Sequence, residues 1–395
     1  MSRGLFFGVT LAWFMGTPAS AQDLDLRVGA ETRVFPEEPV TPGAEDASWS
    51  PSITLEPEFD VDWLGGALRL SAEGFLRADA HDGERTHGDV RALNLLYFGD
   101  RWTLLAGVGR VFWGVTESRH LVNVINQVDG VEDLDDEDRL GQPMLNLTIE
   151  GHAGGLDLFW LPYFRERTFP EFGARLSGPV PVLGEAVYES GAERWHSDFA
   201  LRWTQAMGPL DLGLSYFTGT SREPRLVPEG AEGFRPHYGL IDELGLTLQW
   251  THGSSLWKLE ALRRWGHGAP FQAVVGGIEY SLFGLFGTAT DLGLLAELSL
   301  DDREPERAPA TLWDEDLFLG ARWALNDPND TAILGGPVID LDSGEIFAFL
   351  EAGRRIGMSW MVELEARVLA STSSASPAYW IRGDSFATFR LSRYF

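Results

Sequence analysis

Apolar and polar residues alternate with a period of two along most of this chain. In the clearest stretch, Leu68, Leu70, Ala72, Gly74, Leu76 and Ala78 are apolar or small, and Arg69, Ser71, Glu73, Phe75, Arg77 and Asp79 stand between them. Period two places the two sets on opposite faces of one strand. The same pattern predicts eighteen strands, near 24–34, 52–63, 67–79, 89–98, 102–112, 144–153, 155–164, 197–207, 210–219, 239–251, 255–265, 271–282, 290–300, 314–324, 331–340, 345–355, 359–370 and 381–395. Ordinary globular strands average about 5–6 residues. These are longer, and reach the roughly 9–11 residues that a strand needs to cross a membrane.

The connections alternate as well. Leu64-Gly-Gly, Gly99-Asp-Arg, Gly154, Gly208-Pro, His252-Gly-Ser-Ser and the turn around Gly357-Met-Ser are short and rich in turn formers. Between them lie the long segments Phe35 to Pro51, Trp113 to Pro143, Arg165 to His196, Thr220 to Tyr238 and Asp301 to Trp313. Short periplasmic turns alternating with long outer loops mark a transmembrane barrel, whereas a soluble sandwich has no reason to sort its loops. The expected fold is therefore all-β, an antiparallel up-and-down transmembrane β-barrel of about 18 strands, with 16 as the alternative if a hairpin is lost between Thr331 and Arg355. Residues 22–395 form its single domain.

Tryptophan positions fit this picture. Trp49, Trp63, Trp102, Trp113, Trp160, Trp203, Trp250, Trp257, Trp265, Trp323 and Trp360 fall in strands or at their ends, where interfacial girdles place aromatic rings. The final stretch, Ser385 to Phe395, is itself an amphipathic strand, although a terminus is ordinarily frayed. It resembles the C-terminal signal that outer-membrane proteins present to the barrel-assembly machinery, except that Arg393 stands where an apolar or aromatic residue is usual.

Residues 1–21 have the layout of a signal peptide: Arg3, an apolar core from Leu5 to Met15, and the small-residue site Ala19-Ser20-Ala21. The core is too short to span a bilayer as a helix. The chain has no cysteine, so no disulfide framework is available. Its net charge is −28, and it has one lysine, Lys258. Such a chain offers no basic surface to nucleic acid. The expected surroundings are outer-membrane lipid and lipopolysaccharide.

A barrel of 16 to 18 strands encloses an aqueous lumen unless something fills it. Alternation assigns Arg69, Glu73, Arg77, Arg202, Lys258, Glu260, Arg264, Glu297, Arg322, Glu351, Glu363, Glu365 and Arg367 to the inner wall. Charges of both signs create a transverse field, whereas rings of one sign select ions. The segment 113–143 is expected either to fold into the lumen or to cap the mouth. Within it, 117–125 has the spacing of a short helix with Leu121, Val122 and Ile125 on one side. Arg110, Glu117, Arg119, His120, Asn123, Asn126 and Asp129 would then narrow the pore.

The residues Trp113-Gly-Val-Thr-Glu-Ser118 and Asn123-Val-Ile-Asn-Gln-Val-Asp129, with Pro143-Met-Leu145 and Leu156-Asp-Leu-Phe-Trp-Leu-Pro-Tyr-Phe164, resemble an uncharacterised family of proteobacterial outer-membrane barrels. That family has Pro where this chain has Gln127, and its Trp-Gly turn is spaced differently. The resemblance covers 107–164 and implies a porin-like or exporter-associated barrel, without naming a substrate.

Glu132 to Asp138 holds six acids in seven residues. Clustered carboxylates suit divalent cations, but the spacing is not that of an EF-hand, and a solvated acidic loop is the expectation. The eight histidines lie mostly in or beside loops, and no Gly-x-Ser-x-Gly elbow occurs. No enzyme, metal site or cofactor is expected. The functional expectation is a passive channel for small polar or anionic solutes, the alternative being a non-conducting barrel that partners an export system or serves as a surface scaffold.

Overall fold

A computed structural model describes residues 22–370, 373–374 and 376–395. The signal-peptide expectation for 1–21 lies outside the described residues. Eighteen strands form one closed antiparallel sheet, beginning with Gln22–Val34 and ending with Phe386–Tyr394. Each strand pairs with the barrel strand before and after it in the chain. The first and last close the ring in register from Arg27↔Tyr394 to Val34↔Ala387. Phe395 continues that ladder, its N–H donating to the Leu26 carbonyl at 3.0 Å. The hairpin between Thr331 and Arg355 is present, as Ala332–Asp340 paired with Ile346–Ile356, so the count is 18 and not 16.

Alternation along each strand produces two faces of opposite character. On the outside, Leu244 is 49% and Leu294 47% exposed. An apolar surface that encircles the molecule requires lipid to cover it. Trp102, Trp250, Trp257, Trp323 and Trp360 lie near the short-turn end, with Trp250 directly opposite Trp257 across one hairpin. Trp113 departs from the girdle expectation. It is 4% exposed and packs inside the barrel.

Three elements differ from the sequence reading. The strand Trp102–Gly109 stops before 112, because the Asn126 side chain takes both the Gly109 carbonyl (2.9 Å) and the Val111 N–H (2.8 Å) and draws the chain off the wall. The last strand starts at Phe386, preceded by a 3-10 turn at Pro377–Ile381 that Ser376 caps. The outer loops also carry a small sheet of their own, in which Arg225–Glu229 pairs antiparallel with Gly233–Tyr238, and Val187–Tyr188 adds in parallel. Phe164 lies under it, 4.8 Å from the Tyr238 ring.

Candidate pore and its lining

The connection between Trp102–Gly109 and Gln142–Gly151, residues 110–141, lies against inward-facing side chains of strands on both sides of the barrel. Two wall carboxylates hold its first turn. Glu260 accepts hydrogen bonds from the backbone N–H groups of Val115 (2.6 Å) and Thr116 (2.9 Å), and its other oxygen accepts from Val122 (3.3 Å). Glu297 accepts from the N–H groups of Glu117 (2.9 Å) and Ser118 (2.8 Å). The expected helix over 117–125 does not form. The Val122 N–H, which a helix would direct to the Ser118 carbonyl, goes to Glu260 instead, and hydrogen bonds to a charged acceptor are worth about 1.5–3 kcal/mol each. Gly277 sits directly opposite Glu297, and a Cβ there would come within 2.4 Å of the Glu297 Cγ. The bare glycine leaves room for that carboxylate.

Apolar contacts fasten the loop to one side of the barrel. Val122 and Ile125 are buried with Trp113 against Phe159, Leu161, Phe217 and Ile241. Leu121 packs with Leu262, Phe271 and Val275. Burying a side chain of this size contributes about 1.5–3 kcal/mol. Within the loop, the Asn123 Oδ1 accepts from the Trp113 N–H at 2.7 Å. Asp129 is 0% exposed and takes Arg91 (2.7 Å) and the Thr168 hydroxyl (2.8 Å). Asn126 and Asp129 were expected to narrow the pore. Both are buried and hold the loop together, because a folded loop must satisfy its own backbone away from water.

The acidic run Glu132 to Asp138 is only in part the solvated loop expected: Glu132 and Asp133 are buried, whereas Glu137 and Asp138 are exposed. Glu132 meets Arg77 (2.6 Å) and His87 (2.8 Å), and its carbonyl accepts from Arg33. Asp133 and Asp135 each lie 2.7 Å from Arg367, which also holds Glu351 at 2.8 Å. Asp136 pairs with Arg167 at 2.6 Å. The run is the loop's charged edge, turned toward arginines of the opposite wall. Burial works to raise the Glu132 carboxyl, but His87, Arg77 and Arg85 hold it well below the usual range. Asp135 is raised, first by removal from bulk water and then by Asp133. Asp138 has an exposed side chain, yet it is pushed up to about 7, first by loss of bulk water around it and then by Glu132 and Asp133. Among the described residues, no group of three or more His, Asp or Glu side chains is arranged to hold a metal ion.

Beside the loop, a cavity of about 340 Å³ remains between its acidic edge and the wall. Glu73, Arg110, Glu351, Glu365 and Arg367 line it, with Arg110 paired to Glu73. Glu363 pairs with Arg27. A second space of about 460 Å³, lined by Val115, Glu150, Arg202, Asp211 and Gln249, lies on the other side of the loop.

The other inner-wall residues are engaged elsewhere. Arg77, Glu260, Arg264 and Glu297 are buried rather than open to the lumen, because the loop or a neighbouring ion pair covers them. Arg264 meets Glu243 at 2.7 Å, and Arg119 meets Asp301 at 2.7 Å. Arg202 lies over the Trp113 ring at 5.3 Å. Glu117 faces Arg322 and Lys258. His120 lies 3.3 Å from Glu137. Arg69 stays at the short-turn end with Asp62, 2.8 Å away.

Several wall residues were missed. Glu31 is 4% exposed and pairs with Arg77, Arg85 and Arg390 at 2.6–2.8 Å. Alternation along the first strand, which puts Arg27, Glu31 and Arg33 on one face, was the available signal. Arg85 and Arg303 lie outside the strands, and periodicity says nothing of them.

Comparison with solved structures gives Pseudomonas aeruginosa OpdO at TM-score 0.54 and 11% identity, and OpdQ from the same organism at 0.51 and 11%. Each comparison covers 95% of this chain and 96% of the other. The fold is that of the outer-membrane porin barrels. At this identity the likeness speaks for the fold alone. No protein-family model matches the chain, and no curated protein matches it.

Proposed function

We propose that the protein is a passive outer-membrane channel for small polar solutes. The observation that supports this best is the loop's fixed place across the lumen, with charged space left beside it. Glu260, Glu297 and the apolar contacts hold residues 113–125 to one part of the wall, Arg77, Arg91 and Arg367 hold the acidic edge to another, and a charged cavity is left beside it. A loop that narrows a wide barrel to a passage lined by both signs is a sieve for hydrated polar molecules, since walls of this kind exclude apolar solutes and orient dipoles. On this reading the signal-like segment 1–21 directs export, the leucine-rich face meets lipid and lipopolysaccharide, and the strand ending at Phe395 is presented to the assembly machinery. Purified protein in planar bilayers should give discrete conductance steps. A silent bilayer would instead support a sealed barrel, of the kind a scaffold or an export partner needs.

A further inference from the structure

We infer that the channel selects small cations, inorganic or ammonium-bearing, over anions; this rests on the channel reading above. Two separate places on the inner wall carry it.

The first is the passage itself. Seven arginines and ten carboxylates line it. Its arginines suggest an anion path, but six of the seven already hold a carboxylate within 4 Å: Arg27, Arg85, Arg91, Arg110, Arg367 and Arg390. The seventh, Arg33, donates to the Glu132 carbonyl and lies 4.8 Å from the Phe386 ring. In contrast, Glu365 and Asp138 have no ion pair among the described residues, although both face the space. The positive charges are neutralised by the protein, and the surplus negative charge is left to mobile ions.

The second place lies toward the short-turn end, on the first three strands. Register sets Asp25 directly opposite Glu58, and Glu58 directly opposite Glu73. Asp23 is likewise opposite Asp60. Like charges facing each other across strands destabilise a sheet, so this row is tolerated only where counter-ions reach it. Glu73 has Arg110, whereas Asp23, Asp25 and Glu58 have no ion pair among the described residues. Electroneutrality then enriches both stretches in cations and depletes them of anions, since a wall patch of one sign favours its counter-ions. The carboxylates are spread along the wall, so the effect is one of selectivity and not of a fixed ion site.

The test is the zero-current potential of the full chain in planar bilayers across a tenfold KCl gradient. The expected sign is that of potassium preference, with a permeability ratio of several-fold, and methylammonium chloride should give the same sign. Glu58→Gln combined with Glu365→Gln should move the potential toward zero while discrete steps persist. Clear steps with a zero or chloride-directed potential in the unmodified protein would overturn the selectivity and leave the channel reading intact. No steps at all would remove both.

Discussion

Thr116 meets Glu260 twice: its backbone N–H donates to the carboxylate at 2.9 Å, and its hydroxyl lies 2.7 Å from the same oxygen. The two residues are 144 positions apart, one in the loop and one on the far wall. Removing the acceptor with Glu260→Ala leaves the Val115 and Thr116 donors without a partner, a loss of about 1–3 kcal/mol for each group that stays dry. The expected result is a looser loop, seen as larger and noisier conductance steps. Glu260→Gln, which keeps an acceptor, should lie between the two. Steps identical to those of the parent protein would show that Glu260 does not position the loop.

Arg367 joins Asp133 and Asp135 of the loop to Glu351 of the wall. Breaking a fully buried pair costs about 3–5 kcal/mol. Here Glu351 is 37% exposed, so Arg367→Ala should cost nearer 2–3 kcal/mol once that screening is allowed for. Urea unfolding in detergent, followed by tryptophan fluorescence, measures it. Adding Asp135→Asn should recover part of the loss, since one stranded carboxylate is then neutral.

The strands were legible because lipid imposes period two on one face and water on the other. Leu68–Asp79 needed nothing but its own residues. The fixing of the loop was not legible, because its partners are distant in sequence. Nothing near Val115 or Ser118 announces Glu260 or Glu297, and local spacing alone pointed to a helix there. The acidic run was visible as composition, but its purpose depends on Arg77 and Arg367, which only barrel closure brings alongside. The missed first-strand pair Glu31 and Arg33 was within reach of the same alternation that found Arg69 and Arg77.

Loss of bulk water, and then the charges of Glu132 and Asp133, push Asp138 up to about 7. Its folded value is raised, so the group is neutral below that pH and charged above it. Cation preference should therefore weaken as the pH is taken from 8 to 5, and Asp138→Asn should flatten this dependence. By linkage, the raised carboxyl disfavours the folded state above pH 7 and ceases to do so as the pH falls toward its unfolded value of about 3.9. A pH-independent reversal potential in the parent protein would contradict this assignment.

Arg393 faces outward on the last strand, opposite Trp360, with its guanidinium 5.4 Å from that ring and 4.5 Å from the Phe395 ring. Two aromatic faces at the short-turn end give a lipid-side arginine a place at the interface. Cation–π contacts at exposed sites contribute about 0.5–1 kcal/mol, and an arginine near the interface costs only about 0–1 kcal/mol. Arg393→Leu should accordingly change unfolding stability by less than about 1 kcal/mol. A large gain would place Arg393 in the hydrocarbon.

The most direct measurement is single-channel conductance before and after residues 117–129 are replaced by a short Gly/Ser link. The replacement removes Val122 and Ile125 from the apolar contacts and frees Glu297. Discrete steps are expected from the parent protein and a several-fold larger conductance from the replaced one, because the loop is what narrows the lumen. Steps of unchanged size would place the loop outside the conducting path, and a parent protein without steps would contradict the channel altogether.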